Sequence, residues 1–151
     1  MAEYAFNPVQ IVEPNQNVIL DTVIPCNKGY VYHREQSGIL ILRGIVNCPQ
    51  ACFARYQVTF NGNIALPDGA TVGPIAVALA IDGEPIQTSR AIITPVAADE
   101  YGNVTSTAII TIPRGCCFSV AVENVSAPAA AGGVAPEINV QNANLVVSRI
   151  A

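Results

Sequence analysis

From about residue 17 onward, turn signals cut the chain into short stretches of alternating apolar and polar residues. That punctuation predicts an all-β sandwich or barrel. Residues 17–21 read as a first short strand, closed by Pro25 and an Asn27-Lys28-Gly29 turn. Residues 30–33 and 39–46 follow on either side of Gln36-Ser37-Gly38. The clearest alternation is residues 53–66, with Phe53, Arg55, Gln57 and Thr59 on one side and Ala54, Tyr56, Val58 and Phe60 on the other. Successive strand side chains point to opposite faces, so the apolar row is the one that meets a core. Within this strand Asn61-Gly62-Asn63 predicts a bulge or a bend.

Pro67-Asp68-Gly69 is a turn, since Pro presets φ and Gly tolerates positive φ. The run 75–81 leads into Asp82-Gly83, the strongest short hairpin signal in the chain. Its return is residues 85–94, with Pro85 at a strand start or edge. After a polar loop at 99–103, residues 104–112 and 117–125 are joined through Pro113-Arg114-Gly115. Residues 127–136 are an uncharged Ala/Gly/Pro connection, and residues 138–150 form the last strand, with an apolar Leu145-Val146-Val147 centre. No segment shows a helical period with caps, and no tandem repeat is present.

Composition turns this pattern toward assembly. Of 151 residues only 12% are charged, against about 25% in an ordinary soluble domain. The hydrophobic fraction is 51%, yet no apolar stretch approaches the ~18 residues of a membrane-spanning helix. Much of the uncharged surface is therefore expected to face other copies of the chain. The length suits one domain. Net charge is -4 with seven scattered basic residues, and a nucleic-acid binder needs a basic stripe that is missing here. The start Met1-Ala2-Glu3-Tyr4 lacks the basic and apolar regions of a secretory signal, so synthesis in the cytoplasm without signal-peptide export is expected.

Candidate chemistry is sparse. His33 could be a base or a metal ligand by residue type, but no carboxylate and nucleophile accompany it in sequence, and a structural or interface histidine is the plain reading. Asp82 and Glu84 flank Gly83 as hairpin residues would. Asp99, Glu100 and Asn103 make a more oxygen-rich loop, though a hard cation needs several converging oxygens. Ser37 and Ser119 lack the strand-turn-helix setting of a nucleophile elbow. No catalytic residue, cofactor or metal site is assigned, and the chain is read as not an enzyme. Five cysteines are an odd number, so at least one is free or pairs between chains. Cys48 and Cys52 are spaced too widely, and Cys116 and Cys117 too closely, for the usual zinc pair. Small buried thiols are the default reading.

The order of strands resembles the C1q/tumour-necrosis-factor-like jelly-roll superfamily, especially compact bacterial and phage forms similar to the C-terminal domains of spore-surface collagen-like proteins. Gln16-Asn17-Val18-Ile19-Leu20, Ser37-Gly38-Ile39-Leu40-Ile41-Leu42 and Arg55-Tyr56-Gln57-Val58-Thr59-Phe60 carry the resemblance. So do Val77-Ala78-Leu79-Ala80-Ile81-Asp82-Gly83 and the closing Asn139-Val140-Gln141-Asn142-Ala143-Asn144-Leu145-Val146-Val147, which such domains place centrally in a sheet. These 151 residues contain no collagen-like Gly-X-Y run, and the aromatic content is a modest 6%.

The resemblance implies a single-domain antiparallel jelly-roll sandwich over residues 15–151 that assembles as a homotrimer. Val77, Leu79, Ile81, Leu145, Val146 and Val147 then belong to the core or the threefold interface, where Val146→Asp would bury a charge. Residues 1–14 are expected to be an N-terminal arm outside the sandwich, with Tyr4, Phe6 and Val9 docking on a particle. Alternating strand connections put the Cys48/Cys52 loop, the Asp82-Gly83 turn and the Arg114-Gly115 turn at one end. Cys48, Cys52, Cys116 and Cys117 could meet there, within or between subunits, as disulfides or a metal site, or stay as unconnected thiols. The functional expectation is a homotrimeric phage virion component, a capsid decoration or head-fibre module, made in the host cytoplasm and partnered by a capsid protein. The alternative is a bacterial surface or spore-coat adhesin whose loop end binds a glycan or a protein.

Overall fold

Strand alternation becomes two facing layers in the computed structural model, which describes residues 1–24, 29–128 and 130–151. The expected turn through Asn27-Lys28 lies outside the described residues. The strands are β1 (Ala2–Phe6), β2 (Gln10–Val12), β3 (Thr22–Ile24), β4 (Val31–His33), β5 (Leu40–Arg43) and β6 (Phe53–Ala65). They continue as β7 (Ile75–Ile81), β8 (Glu84–Pro85), β9 (Ala91–Ile93), β10 (Gly102–Pro113), β11 (Cys117–Asn124) and β12 (Ile138–Arg149). One six-stranded sheet runs β10-β6-β12-β1-β3, with β2 also on β12; the other runs β4-β5-β11-β7-β8, with β9 also on β7. Every pairing is antiparallel. The fold is an all-β jelly-roll sandwich, with the closing strand β12 inside its sheet.

The core lies between the layers. Tyr56, Val58 and Phe60 of β6, Val77 and Leu79 of β7, and Leu145 and Val147 of β12 are buried in it. Ile81 is half-buried and packs against this cluster. Val146 faces the other way: its register partners are Glu3 and Thr59, on the outer side of the first sheet. The alternation puts Val147 inward and Val146 outward, so of the two places expected for Val146, the core and the threefold interface, the core is excluded.

The expected arm is corrected as well. Residues 2–6 form β1, which sits between β12 and β3 with Tyr4 opposite Leu145 and Val23. Tyr4 has no exposed surface and stacks on His33, with ring centroids 4.9 Å apart. Phe6 is half-buried and Val9 exposed. The sandwich therefore starts at Ala2 and no boundary falls at residue 14. The physical reason is the burial of Tyr4, which an extended tail would leave in water.

Three further expectations shift. Residues 17–21 make a single bridge, Asn17 to Glu123, rather than a strand, and the chain pairs as β3 just beyond them. The return from the Asp82-Gly83 hairpin is broken into β8, a 3-10 turn (Gln87–Ser89) and β9. There the Ser89 hydroxyl accepts from the Leu79 N–H at 3.0 Å and donates to the Ile86 carbonyl at 2.7 Å, replacing a ladder bond that a strand would supply. The irregularity expected at Asn61-Gly62-Asn63 lies across the ladder instead. Pairing of β6 with β10 is continuous, whereas β12 shifts register between Gln141 and Asn144, with Asn142 at φ +50°. A Cβ at Gly62 would come within 2.9 Å of the Phe60 ring, so this glycine serves close packing beside the bulge.

Candidate functional site

The outer face of the β10-β6-β12-β1-β3 sheet is built by the residues that alternate with the core rows. On β10 these are Asn103, Thr105, Thr107, Ile109 and Thr111, and on β6 they are Phe53, Arg55, Gln57, Thr59, Asn61 and Asn63. Asn144, Val146 and Ser148 of β12 continue the face, followed by Glu3 and Ala5 of β1 and by Thr22 and Ile24 of β3. Among the described residues, Glu3 and Arg55 are its sole charges. Its polar groups are largely paired with one another across the strands. Thr59 and Thr107 hydroxyls lie 2.8 Å apart, the Thr105 hydroxyl donates to Asn61 Oδ1 at 3.1 Å, and the Asn103 amide donates to Asn63 Oδ1 at 3.2 Å. The Asn144 amide donates to the Glu3 carboxylate at 3.2 Å.

Burying a polar group is costly chiefly when its hydrogen bonds go unmade. A face that satisfies itself loses little when water leaves. Ile109 is 63% exposed on it, with Phe53 and Ile24 also exposed. The combination fits contact with another protein surface better than permanent hydration. The second sheet offers no such open face at β7: the small residues Ala76, Ala78 and Ala80, next to Ala121 of β11, are already buried within the chain, Ala76 and Ala78 in a cluster with Val125. Glu123 is nearly buried there, and burial, then the charge of Glu84, pushes its carboxyl up from the usual 4.5.

One end of the sandwich gathers the thiols. The β5–β6 crossover carries Cys48 and Cys52, and the β10–β11 crossover carries Cys116, with Cys117 opening β11. Backbone bonds clamp the two connections together. Gly44 N–H donates to the Cys116 carbonyl at 2.8 Å, Gly115 N–H to the Gly44 carbonyl at 3.0 Å, and Arg114 N–H to the Cys52 carbonyl at 2.9 Å. The Arg114 guanidinium adds a bond to the Pro49 carbonyl at 3.0 Å. The approach is so close at Gly44 that a Cβ there would collide with the Pro113 carbonyl oxygen. The Asp82-Gly83 turn joins this end through Asp82, whose carboxylate accepts from Ser119 N–H and hydroxyl, both at 2.9 Å.

All four thiols are exposed and free, which corrects the reading of small buried cysteines. Three of them sit on crossover loops, which do not turn alternate residues into the core, and Cys117 is the exposed first residue of β11. Among the described residues no three His, Cys, Asp or Glu side chains gather as a metal set. Cys26 lies outside the described residues. Sequence reading missed Gly44 as the clamp, and it missed Arg149, whose guanidinium stacks 4.4 Å over the Tyr30 ring.

The remaining candidates are explained locally. His33 is buried against Tyr4, its Nε2 3.0 Å from the Ser37 carbonyl. Ser37 donates to the Arg34 carbonyl at 2.7 Å, and Ser119 is held by Asp82. Asn103 turns its amide to Asn63, away from any shared centre with Asp99 and Glu100. At the end opposite the thiols, a cavity of about 170 Å³ is lined by Leu66, Ala70, Thr71, Gly73, Pro74, Val134 and Pro136. No helix is long and apolar enough to cross a membrane among the described residues.

No protein-family model matches the chain, and no curated protein sequence matches it. Solved structures do resemble it. The globular domain of zebrafish complement 1qA is 13% identical with a TM-score of 0.59, over 96% of this chain and 94% of that one. Eiger TNF from S. frugiperda is 10% identical with a TM-score of 0.67, over 99% of this chain and 91% of that one. Murine APRIL is 13% identical with a TM-score of 0.54, over 93% and 98%. At such identities the likeness concerns the fold, and the fold is the C1q/TNF-like jelly roll.

Proposed function

We propose that the chain is a non-enzymatic structural protein that assembles as a homotrimer through the outer face of the β10-β6-β12-β1-β3 sheet, and that the trimer is a component of a phage particle, as a capsid decoration or head-fibre module. The C1q/TNF-like fold supports a structural or binding role and self-association. The observation that carries the reading is the outer face itself, uncharged but for Glu3 and Arg55 and already hydrogen-bonded across its strands. A surface with so little charge accounts for a 12% charged fraction without a membrane-spanning helix. In a trimer the same face is used on every copy, and closed symmetry leaves no contact patch unmatched.

The virion assignment is tested by imaging and peptide mass analysis of purified native particles. Threefold knobs containing this chain at regular shell positions are expected. Particles that lack the chain overturn the virion assignment while leaving the trimer intact. Binding of the purified protein to a glycan array through the loops around Leu66 and Val134 would favour the adhesin instead.

A further inference from the structure

We propose that the end bearing Cys48, Cys52, Cys116 and Cys117 is a covalent cross-linking site, where cysteines of one chain form disulfides with those of a second copy. Free cysteine is among the most buried of residue types, and an exposed thiol is accessible to exchange with another disulfide. Here all four described cysteines are exposed, three on two neighbouring crossovers and Cys117 at the adjoining start of β11, all at one end. The bonds from Gly44 to Cys116, Gly115 to Gly44 and Arg114 to Cys52 pin these crossovers, and the Arg114 side chain ties in Pro49. Beside them lies a depression of about 350 Å³ lined by Arg43, Gly44, Ile45, Gly115, Cys116 and Cys117.

Within one chain the four thiols remain unpaired although they share this end. A disulfide requires Cβ atoms about 3.5–4.5 Å apart, and pinned loops resist the movement that would bring outward thiols together. A second copy presents the same set, so two ends can meet as equivalent patches. The site is an end of the sandwich, separate from the sheet face assigned to trimer contact. The inference therefore stands apart from the trimer.

The chemistry is thiol–disulfide exchange with a low-molecular-weight disulfide such as oxidised glutathione. A cysteine thiolate attacks one sulfur of the small disulfide, whose S–S bond breaks; a mixed disulfide forms and one small thiolate leaves. A cysteine thiolate of the second copy then attacks the cysteine sulfur of that mixed disulfide. The interchain S–S bond forms as the second small thiolate leaves. Two cysteine thiols lose two protons and two electrons, and the small disulfide is reduced to two thiols.

The test is incubation of the purified chain with oxidised glutathione, followed by non-reducing electrophoresis, intact mass and peptide mapping. Covalent dimers and larger species are expected, reversed by dithiothreitol, with Cys48, Cys52, Cys116 or Cys117 in the linked peptides. A variant with all four replaced by Ser should melt as the wild type does and form no such species. Mapping of the wild type gives the answer even if that variant fails to fold. The proposal is overturned by monomers that have lost hydrogens to internal disulfides, by glutathione adducts alone, or by cross-links that map to Cys26. A non-covalent trimer that never cross-links overturns this site and leaves the trimer standing; a cross-linked dimer of an otherwise monomeric chain does the reverse.

Discussion

Tyr4 shows most directly how a single side chain decides what its segment does. It is fully buried, stacks on His33 and faces Leu145 across the ladder, and burial pushes its phenol up from the usual 10.0. Truncation should open a cavity, so Tyr4→Ala is expected to cost about 3–5 kcal/mol in denaturant unfolding. A loss below about 1 kcal/mol would return residues 2–6 to the status of a loose arm. The apolar trio Tyr4, Phe6 and Val9 is visible in the sequence, but its partner strand is at the far end of the chain, and no local pattern reports that pairing. Glu123 makes the second residue-scale case. Its carboxyl is raised by burial and then by Glu84, so the native state holds this proton more tightly than the unfolded chain does. The stability this proton contributes is present below the ordinary carboxylate range and is lost as pH rises through the raised native value. Glu123→Gln should therefore raise Tm near neutral pH, with the gap closing as the solution is acidified. A gap that is constant with pH would show that Glu123 is not strained when ionised.

At the scale of the element, alternation was legible wherever a strand has one face in the core. Residues 53–66 were read to within a residue of β6, with the correct inward row, because Tyr56, Val58 and Phe60 alternate with Arg55, Gln57 and Thr59. The Asp82-Gly83 hairpin was equally legible, since both residues take positive φ, at +50° and +86°, as a two-residue turn requires. What sequence could not supply was interruption by side chains. Ser89 breaks the returning strand through bonds to Leu79 and Ile86, partners that only the folded ladder brings within reach. The bulge lies in β12 and not at Gly62, although Gly62 is the more visible signal in sequence, because it is Asn142 that takes the positive φ. The two faces of β12 give the sharpest element-scale prediction. Val147→Asp would bury an unpaired charge and should cost several kcal/mol, collapsing the melting transition. Unchanged melting of that variant would mean that the inward row of β12 has been misassigned.

For the molecule as a whole, the thiol end was legible as a location and illegible as a state. Alternating connections are enough to put the Cys48/Cys52 loop beside the Arg114-Gly115 turn, whereas exposure of the thiols depends on how the Gly44 clamp holds the two crossovers. The low charge fraction likewise announced that surface would be hidden, and the fold identifies a face suited to hiding it. Thr59, Thr107, Asn61 and Thr105 bond to one another there, which no spacing along the chain could have shown. Self-association through this face is the central claim, and the mass of the native particle in solution tests it most directly. Sedimentation equilibrium or light scattering at micromolar concentration, under reducing conditions, should give about three times the 15.8 kDa chain mass for the wild type. Val146→Asp should shift that mass toward the monomer while the chain stays folded. A wild-type chain that runs as a clean monomer, or a Val146→Asp variant that stays fully trimeric, would contradict the account.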